Sequence, residues 1–184
     1  MFLSYPILSL HQKPATAIVP ASAKRLSSPS SLSKEFDYGL PTRLEIPKIQ
    51  VDTQISYMGL TKDGAMAVPT NVVDVGWYKY GSLPGNKGDA VIAGHLDGLQ
   101  GQPGVFSGLD KLQKGDRVSV VDSENHTASF VVRETQTYDQ NAQPSEVFTA
   151  SDTGAHLNLI TCTGAWDKAQ HRFAERLVVF ADKV

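Results

Sequence analysis

The chain has a single cysteine, Cys162, in 184 residues, which excludes an intramolecular disulfide and leaves the fold to packing alone. It lacks any run of the roughly 20 apolar residues that a membrane-spanning helix needs. It also lacks a surplus of charge: 17 Lys and Arg stand against 19 Asp and Glu, a formal net charge of -2, so nothing in the composition points to nucleic acid or an anionic membrane surface as a partner. There is no internal repeat, and the opening Met1 to Leu10 is interrupted by Ser4, Pro6 and Ser9 and has no basic flank of the kind that marks a signal peptide. On this reading either there is no membrane anchor or the anchor lies upstream of Met1.

What is present divides into two textures. Lys13 to Lys34 is rich in Ser, Ala and Pro, centred on Ser27-Ser28-Pro29-Ser30-Ser31, and shows neither a helical nor a strand period, so residues 1–38 are expected to be a flexible tail or stalk. Deleting residues 1–36 should leave the melting temperature nearly unchanged, and a large drop on thermal denaturation would show that this segment buries apolar surface. Residues 39–184 carry short apolar runs separated by turn signals such as Lys62-Asp63-Gly64, Leu83-Pro84-Gly85-Asn86 and Lys114-Gly115-Asp116. Seven runs read as strands: Arg43 to Ile49, Gln54 to Gly59, Asp89 to His95, Asp116 to Asp122, Thr127 to Thr135, Leu157 to Cys162 and Arg176 to Ala181. Two short helices are expected, near Ser107 to Leu112 and near Ser145 to Ala150. The class is mostly β, a sandwich or barrel.

Three patterns place a reactive side chain at the end of an apolar strand, where a rigid sheet meets a loop. The first is Ala90-Val91-Ile92-Ala93-Gly94-His95, the second Asn158-Leu159-Ile160-Thr161-Cys162 and the third Arg176-Leu177-Val178-Val179-Phe180-Ala181. None of them says much alone, because a lone cysteine is commonly an inert core residue and a strand-end histidine commonly a structural one. Together, in this order and with the Lys114-Gly115-Asp116 turn between the first two, they resemble the sortases, the cysteine transpeptidases that attach secreted proteins to the bacterial surface. The resemblance runs from about Arg43 to Ala181.

That resemblance implies a closed eight-stranded β-barrel with one or two short helices, and a catalytic trio of His95, Cys162 and Arg176. It implies cleavage of a Leu-Pro-x-Thr-Gly-type sorting peptide between Thr and Gly, a thioester on Cys162, and release by a primary amine from a cell-wall precursor or a protein. No cofactor and no metal site are expected, and the resemblance implies a place of work outside the cytoplasmic membrane. Asn158 stands where the family usually has Thr. The ending Leu177 to Ala181 and Gly164-Ala165-Trp166 resemble the actinobacterial-type, class E or F-like single-domain sortases more than the pilus-assembling ones.

The chemistry accounts for the trio. A thiol of ordinary pKa about 8.5 needs a base or a cation to become a nucleophile, an imidazole can take the proton and return it to the leaving amine, and a fixed guanidinium can hold the charge that develops on the attacked carbonyl oxygen. Period-two alternation puts His156, Asn158, Ile160 and Cys162 on one face of their strand and Leu157, Leu159 and Thr161 on the other. Asn158 and Ile160 are expected to line the substrate groove, and Thr161, beside the nucleophile, is counted with them as substrate-binding. Arg172 reads as lying in a loop; Arg176, abutting an apolar run, is the choice for the cation. Asp97 either orients His95 or makes the turn before Gly98, and the turn is preferred.

Rival readings use the same residues. A metal site of Cys162 with His156, Asp167 or His171 fits no usual zinc spacing. A cysteine peptidase would share the acyl-enzyme and release it to water. A catalytically silent peptide-binding barrel would leave the trio without a role.

Overall fold

The computed structural model describes residues 37–98 and 101–184. Eight strands form a closed barrel in the order β1-β2-β3-β4-β7-β8-β6-β5. They are β1 (Pro41–Ile46), β2 (Val51–Met58), β3 (Val75–Tyr78), β4 (Gly88–Gly94), β5 (Arg117–Asp122), β6 (Thr127–Asp139), β7 (Ala155–Asp167) and β8 (Arg172–Lys183). Alternation sends every second side chain inward, and Leu44, Ile46, Ile92, Val118, Phe130, Leu157, Leu159 and Val179 fill one continuous interior. Each such side chain contributes roughly 1.5–3 kcal/mol when fully buried. Phe106 and Leu109, both fully buried, close one end.

All pairings are antiparallel except β2 with β3 and β4 with β7. The parallel β4–β7 pair sets the site, because two strands running the same way in register bring His95, just past the end of β4, level with Cys162; β7 does not end at Cys162 as the sequence pattern suggests but runs on to Asp167.

Several sequence expectations are corrected. The two expected helices are single 3₁₀ turns, Leu109–Lys111 and Ser145–Val147, neither with a side-chain N-cap, and a third turn, Pro47–Ile49, replaces the end of the first expected strand. The strand Val75–Tyr78 was not expected; at four residues, one of them glycine, its own pattern is too short to read, and it forms because β2 and β4 pair with it on both sides. Glycine is required there: a Cβ on Gly76 would meet Pro69 Cδ at 3.0 Å. Residues 1–36 of the expected tail lie outside the described residues. Tyr38 packs on the barrel: its amide donates to Asn86 Oδ1 at 3.0 Å, and Lys183 Nζ lies 4.6 Å from its ring centre.

One buried carboxylate ties the β5–β6 turn to the chain entering β1. Asp122 accepts the amides of Gly39 at 2.9 Å and of Glu124 and His126 at 2.8 Å, with His126 Nδ1 at 3.1 Å. Burial alone would raise this carboxyl, but the backbone donors outweigh it and hold it down at about 2. A lowered carboxyl stabilises the fold above its unfolded value and loses that contribution as pH falls through the folded one. Asp122→Asn should therefore lower the melting temperature at neutral pH, and the gap from the parent protein should close as the pH is taken from about 4 toward 2. Parallel melting curves that never converge would contradict this assignment.

Candidate active site

Three adjacent strands build the site on the outer face of the barrel. In β7, Cys162 is the direct cross-strand partner of Arg176 in β8, and Ile160 is the partner of Val178. In β4, Ala93 is level with Ile160, and two residues further along each chain stand His95 and Cys162. Residues level with one another share a face, so β7 carries the thiol between the imidazole on one flank and the guanidinium on the other. The paired backbone of β7 and β8 on either side of Cys162 and Arg176 supplies the rigidity.

His95 is held from several directions. Its Nε2 lies 2.6 Å from the Pro69 carbonyl oxygen, and because a carbonyl only accepts, Nε2 carries the hydrogen and Nδ1 is the nitrogen left to take a proton. Its own carbonyl accepts the Phe106 amide at 2.9 Å. Gly104 passes so close beneath it that a Cβ there would collide with the His95 carbonyl. Thr161 donates its hydroxyl to the Gly94 carbonyl at 2.9 Å, which clamps the end of β4 to β7 one residue before each reactive group.

Cys162 is half-buried. Burial pushes its thiol up, the guanidinium of Arg176 pulls it down, and the carboxylate of Asp97 pushes it up again, leaving it above its ordinary value. A thiol held in that direction needs a base to become a nucleophile. Arg176 Nη1 donates to the carbonyls of Glu175 at 3.0 Å and Phe173 at 3.4 Å, bonds that steady its planar head on the β7–β8 hairpin.

These groups border an open groove of about 1050 Å³. Its floor is the outer face of β4, β7 and β8 with Ile160, Val178 and Ala93, one wall is the segment holding Leu60, Met66 and Val68, and the other runs from Tyr138 to Phe148. Leu60, Val68 and Phe148 leave 51%, 47% and 43% of their surface exposed along it, an apolar lining that a globular chain would ordinarily cover. A shallower hollow over β1 and β2 is lined by Arg43, Asp52 and Tyr57 and contains neither a thiol nor an imidazole.

The structure therefore brings His95, Cys162, Arg176 and Ile160 to one groove and treats the other expected residues differently. Asn158 is on the predicted face but is 1% exposed, because the 3₁₀ turn Ser145–Val147 lies over it. It supports the groove from beneath and does not line it. Thr161 borders the groove, but its hydroxyl is committed to Gly94. Arg172 opens β8 opposite Asp167, so it belongs to a strand and not to a loop, about 13 Å along the strand from Arg176 at 3.3 Å per residue. His156, six residues before Cys162, is about 20 Å away by the same rise and is held between Asp152 Oδ1 and Asp182 Oδ1, both at 2.8 Å. Asp97 is exposed in the turn after His95, with enough charge near the thiol to be felt there. Tyr78, Tyr138, Val147 and Phe148 were missed: they come from a short strand, a strand end and a loop, and no motif marks them.

A family model described as the Sortase domain matches residues 44–184. No curated protein matches the chain. Among solved structures, sortase C-1 from Actinomyces oris is 24% identical with a TM-score of 0.60, covering 78% of this chain and 73% of that one. A sortase D5 transpeptidase from Clostridium perfringens is 24% identical with a TM-score of 0.58, covering 79% of each chain. Sortase A from Corynebacterium diphtheriae, in a lid mutant, is 20% identical with a TM-score of 0.59 over 81% of this chain and 72% of that one. Barrel and family match agree: the chain belongs to the sortase family and is a cysteine transpeptidase.

Proposed function

We propose that the enzyme cleaves a sorting peptide of the Leu-Pro-x-Thr-Gly type between Thr and Gly, holds the acyl part as a thioester on Cys162, and transfers it to a primary amine at the cell surface. The observation that carries this reading is the placing of Cys162 between His95 and Arg176 at the edge of an apolar groove. An extended peptide laid in that groove buries aliphatic side chains against Leu60, Val68, Phe148 and Ile160 and presents its scissile carbonyl to the sulfur.

The register of the three residues supports the following proton sequence. As the sulfur of Cys162 bonds to the carbonyl carbon, its proton passes to Nδ1 of His95, and the oxygen that gains the electron pair is held by Arg176. When the C–N bond breaks, the leaving amine takes that proton from His95. An incoming amine then attacks the thioester and gives its proton to His95, which passes it to the sulfur as the C–S bond breaks, regenerating the thiol. No helix among the described residues is long and apolar enough to cross a membrane, so attachment at the surface, where secreted substrates and amine acceptors meet, would rest on something other than those residues.

Product analysis by mass spectrometry, on a small library of sorting peptides with and without an added amine, tests the proposal. An amide product that grows with amine concentration is expected; peptide hydrolysed at the same rate whatever the amine would make the enzyme a peptidase. In the same assay His95→Ala should lose about 10² to 10⁴ in rate, the usual contribution of general acid–base catalysis. A rate within a few-fold of the parent would reduce His95 to a structural role.

A further inference from the structure

Beneath the groove wall lies a buried carboxyl that the transfer reaction does not use. Asp89, at the start of β4, is 6% exposed, and Asn158 in β7 is 1% exposed. The Asn158 amide gives one N–H to Asp89 Oδ1 at 3.1 Å and the other to the Val147 carbonyl at 2.8 Å. Both of its donors are thereby used, and two buried acceptors, Asp89 Oδ2 and Asn158 Oδ1, are left without a partner.

We propose that Asp89 is a neutral carboxylic acid whose proton joins Oδ2 to Asn158 Oδ1, and that this acid–amide pair positions the groove wall at Val147. One proton satisfies both orphaned oxygens and closes the two-bond ring that a carboxylic acid and a primary amide form. An ionised Asp89 would leave both of them buried and unsatisfied.

The charged neighbours agree. His156, level with Asp89 on β7, and Arg133 of β6 favour the anion; Asp152, in the segment before β7, opposes it. The two cations are already committed: His156 sits between Asp152 and Asp182, and Arg133 Nη1 donates to Asp182 Oδ1 at 2.9 Å. Burial therefore prevails and raises the carboxyl, against the smaller pull of the Asn158 hydrogen bond.

Asn158 and Asp89 are positioning residues of the peptide site, an assignment that rests on reading the groove as that site. Val147 is 1% exposed and packs with Val178 and Phe180 against Tyr138 and Ile160. The Asn158 N–H that holds its carbonyl stays in place while the other half of the amide is engaged by the acid. When Asp89 ionises, its Oδ2 competes for that N–H and the wall loosens. A raised carboxyl gives its full contribution at low pH and loses it as pH rises through the folded value, so the wall is firm on the acid side and releases on the alkaline side.

The first measurement needs no substrate. Carbon-13 NMR of aspartate-labelled enzyme, assigned with Asp89→Asn, should show the Asp89 carboxyl titrating above the ordinary aspartate range, and exchange of the Phe148 and Thr149 amides should speed up across the same pH interval in the parent protein but not in Asp89→Asn, whose amide can still donate and accept. Ordinary titration of Asp89 would overturn the proposal whether or not a substrate is known. With a turned-over sorting peptide, Asn158→Leu should raise KM about tenfold while kcat stays within about threefold, and Asp89→Asn should keep the parent's KM with its alkaline rise removed. An unchanged KM in Asn158→Leu, or an alkaline rise that persists in Asp89→Asn, would also overturn it; should Asn158→Leu fail to fold, the titration and the Asp89→Asn profile still decide.

Discussion

Cys162→Ala will abolish peptide cleavage and leave the barrel folded. Cys162 stands half-buried at the groove edge, outside the interior that Leu157, Leu159 and Val179 fill, so removing its sulfur takes little from the core and should cost only about 1 kcal/mol of stability. Chemically there is no substitute: it is the only thiol in the chain, and loss of a nucleophile that works as a unit with its base commonly costs about 10⁴-fold or more. The expected result is a circular dichroism spectrum and melting temperature close to the parent's, with no cleavage. Retained turnover would mean that the sulfur is a bystander.

The second large effect separates two arginines four positions apart. Arg176→Ala should cripple acylation, Arg176→Lys should be severely impaired, and Arg172→Ala should stay within about tenfold of the parent. The reason is register: Arg176 is level with Cys162, whereas Arg172 pairs with Asp167 near the tip of the hairpin. Lysine keeps the charge but loses the forked donors through which Arg176 bonds to two carbonyls while remaining available to an oxyanion. Arg176 also pulls the Cys162 thiol down, so its loss should slow alkylation of Cys162 by iodoacetamide at a fixed pH, while Asp97→Asn, which removes an opposing charge, should speed it. A single-turnover assay in which Arg172→Ala is the crippled variant would show that the strand register does not carry the chemistry.

How much of this was legible beforehand depends on the range of the forces involved. The apolar runs within β4, β7 and β8 announce themselves because they are continuous, and the reactive residues bordering those runs follow from alternation and from the resemblance they carry, although β7 and β8 extend past them to Asp167 and back to Arg172. Alternation also put Asn158 on the right face. It could not say that Ser145–Val147 folds over that face, because the contact is made by a loop 11 residues away through a side-chain amide and a backbone carbonyl. β3 was missed for a related reason: Val75–Tyr78 is a strand by virtue of its two neighbours, not of its own four residues. Arg172 was placed in a loop because Gln170, His171 and Phe173 lack a strand pattern; the hairpin extends there by pairing with β7, where Trp166 stands opposite Phe173 with ring centres 5.1 Å apart. The pairing of Asp89 with Asn158, 69 residues apart, leaves no local trace in the sequence at all.

The central claim is that Cys162 carries the acyl group, and intact-mass spectrometry of the enzyme mixed with a sorting peptide in the absence of amine tests it most directly. The account predicts an adduct whose mass equals the peptide up to and including its Thr acyl part, mapped to Cys162, released by hydroxylamine, discharged on adding a primary amine, and absent from Cys162→Ala. Cleaved peptide with no adduct at any time point under rapid acid quench, or an adduct that survives in Cys162→Ala, would contradict it.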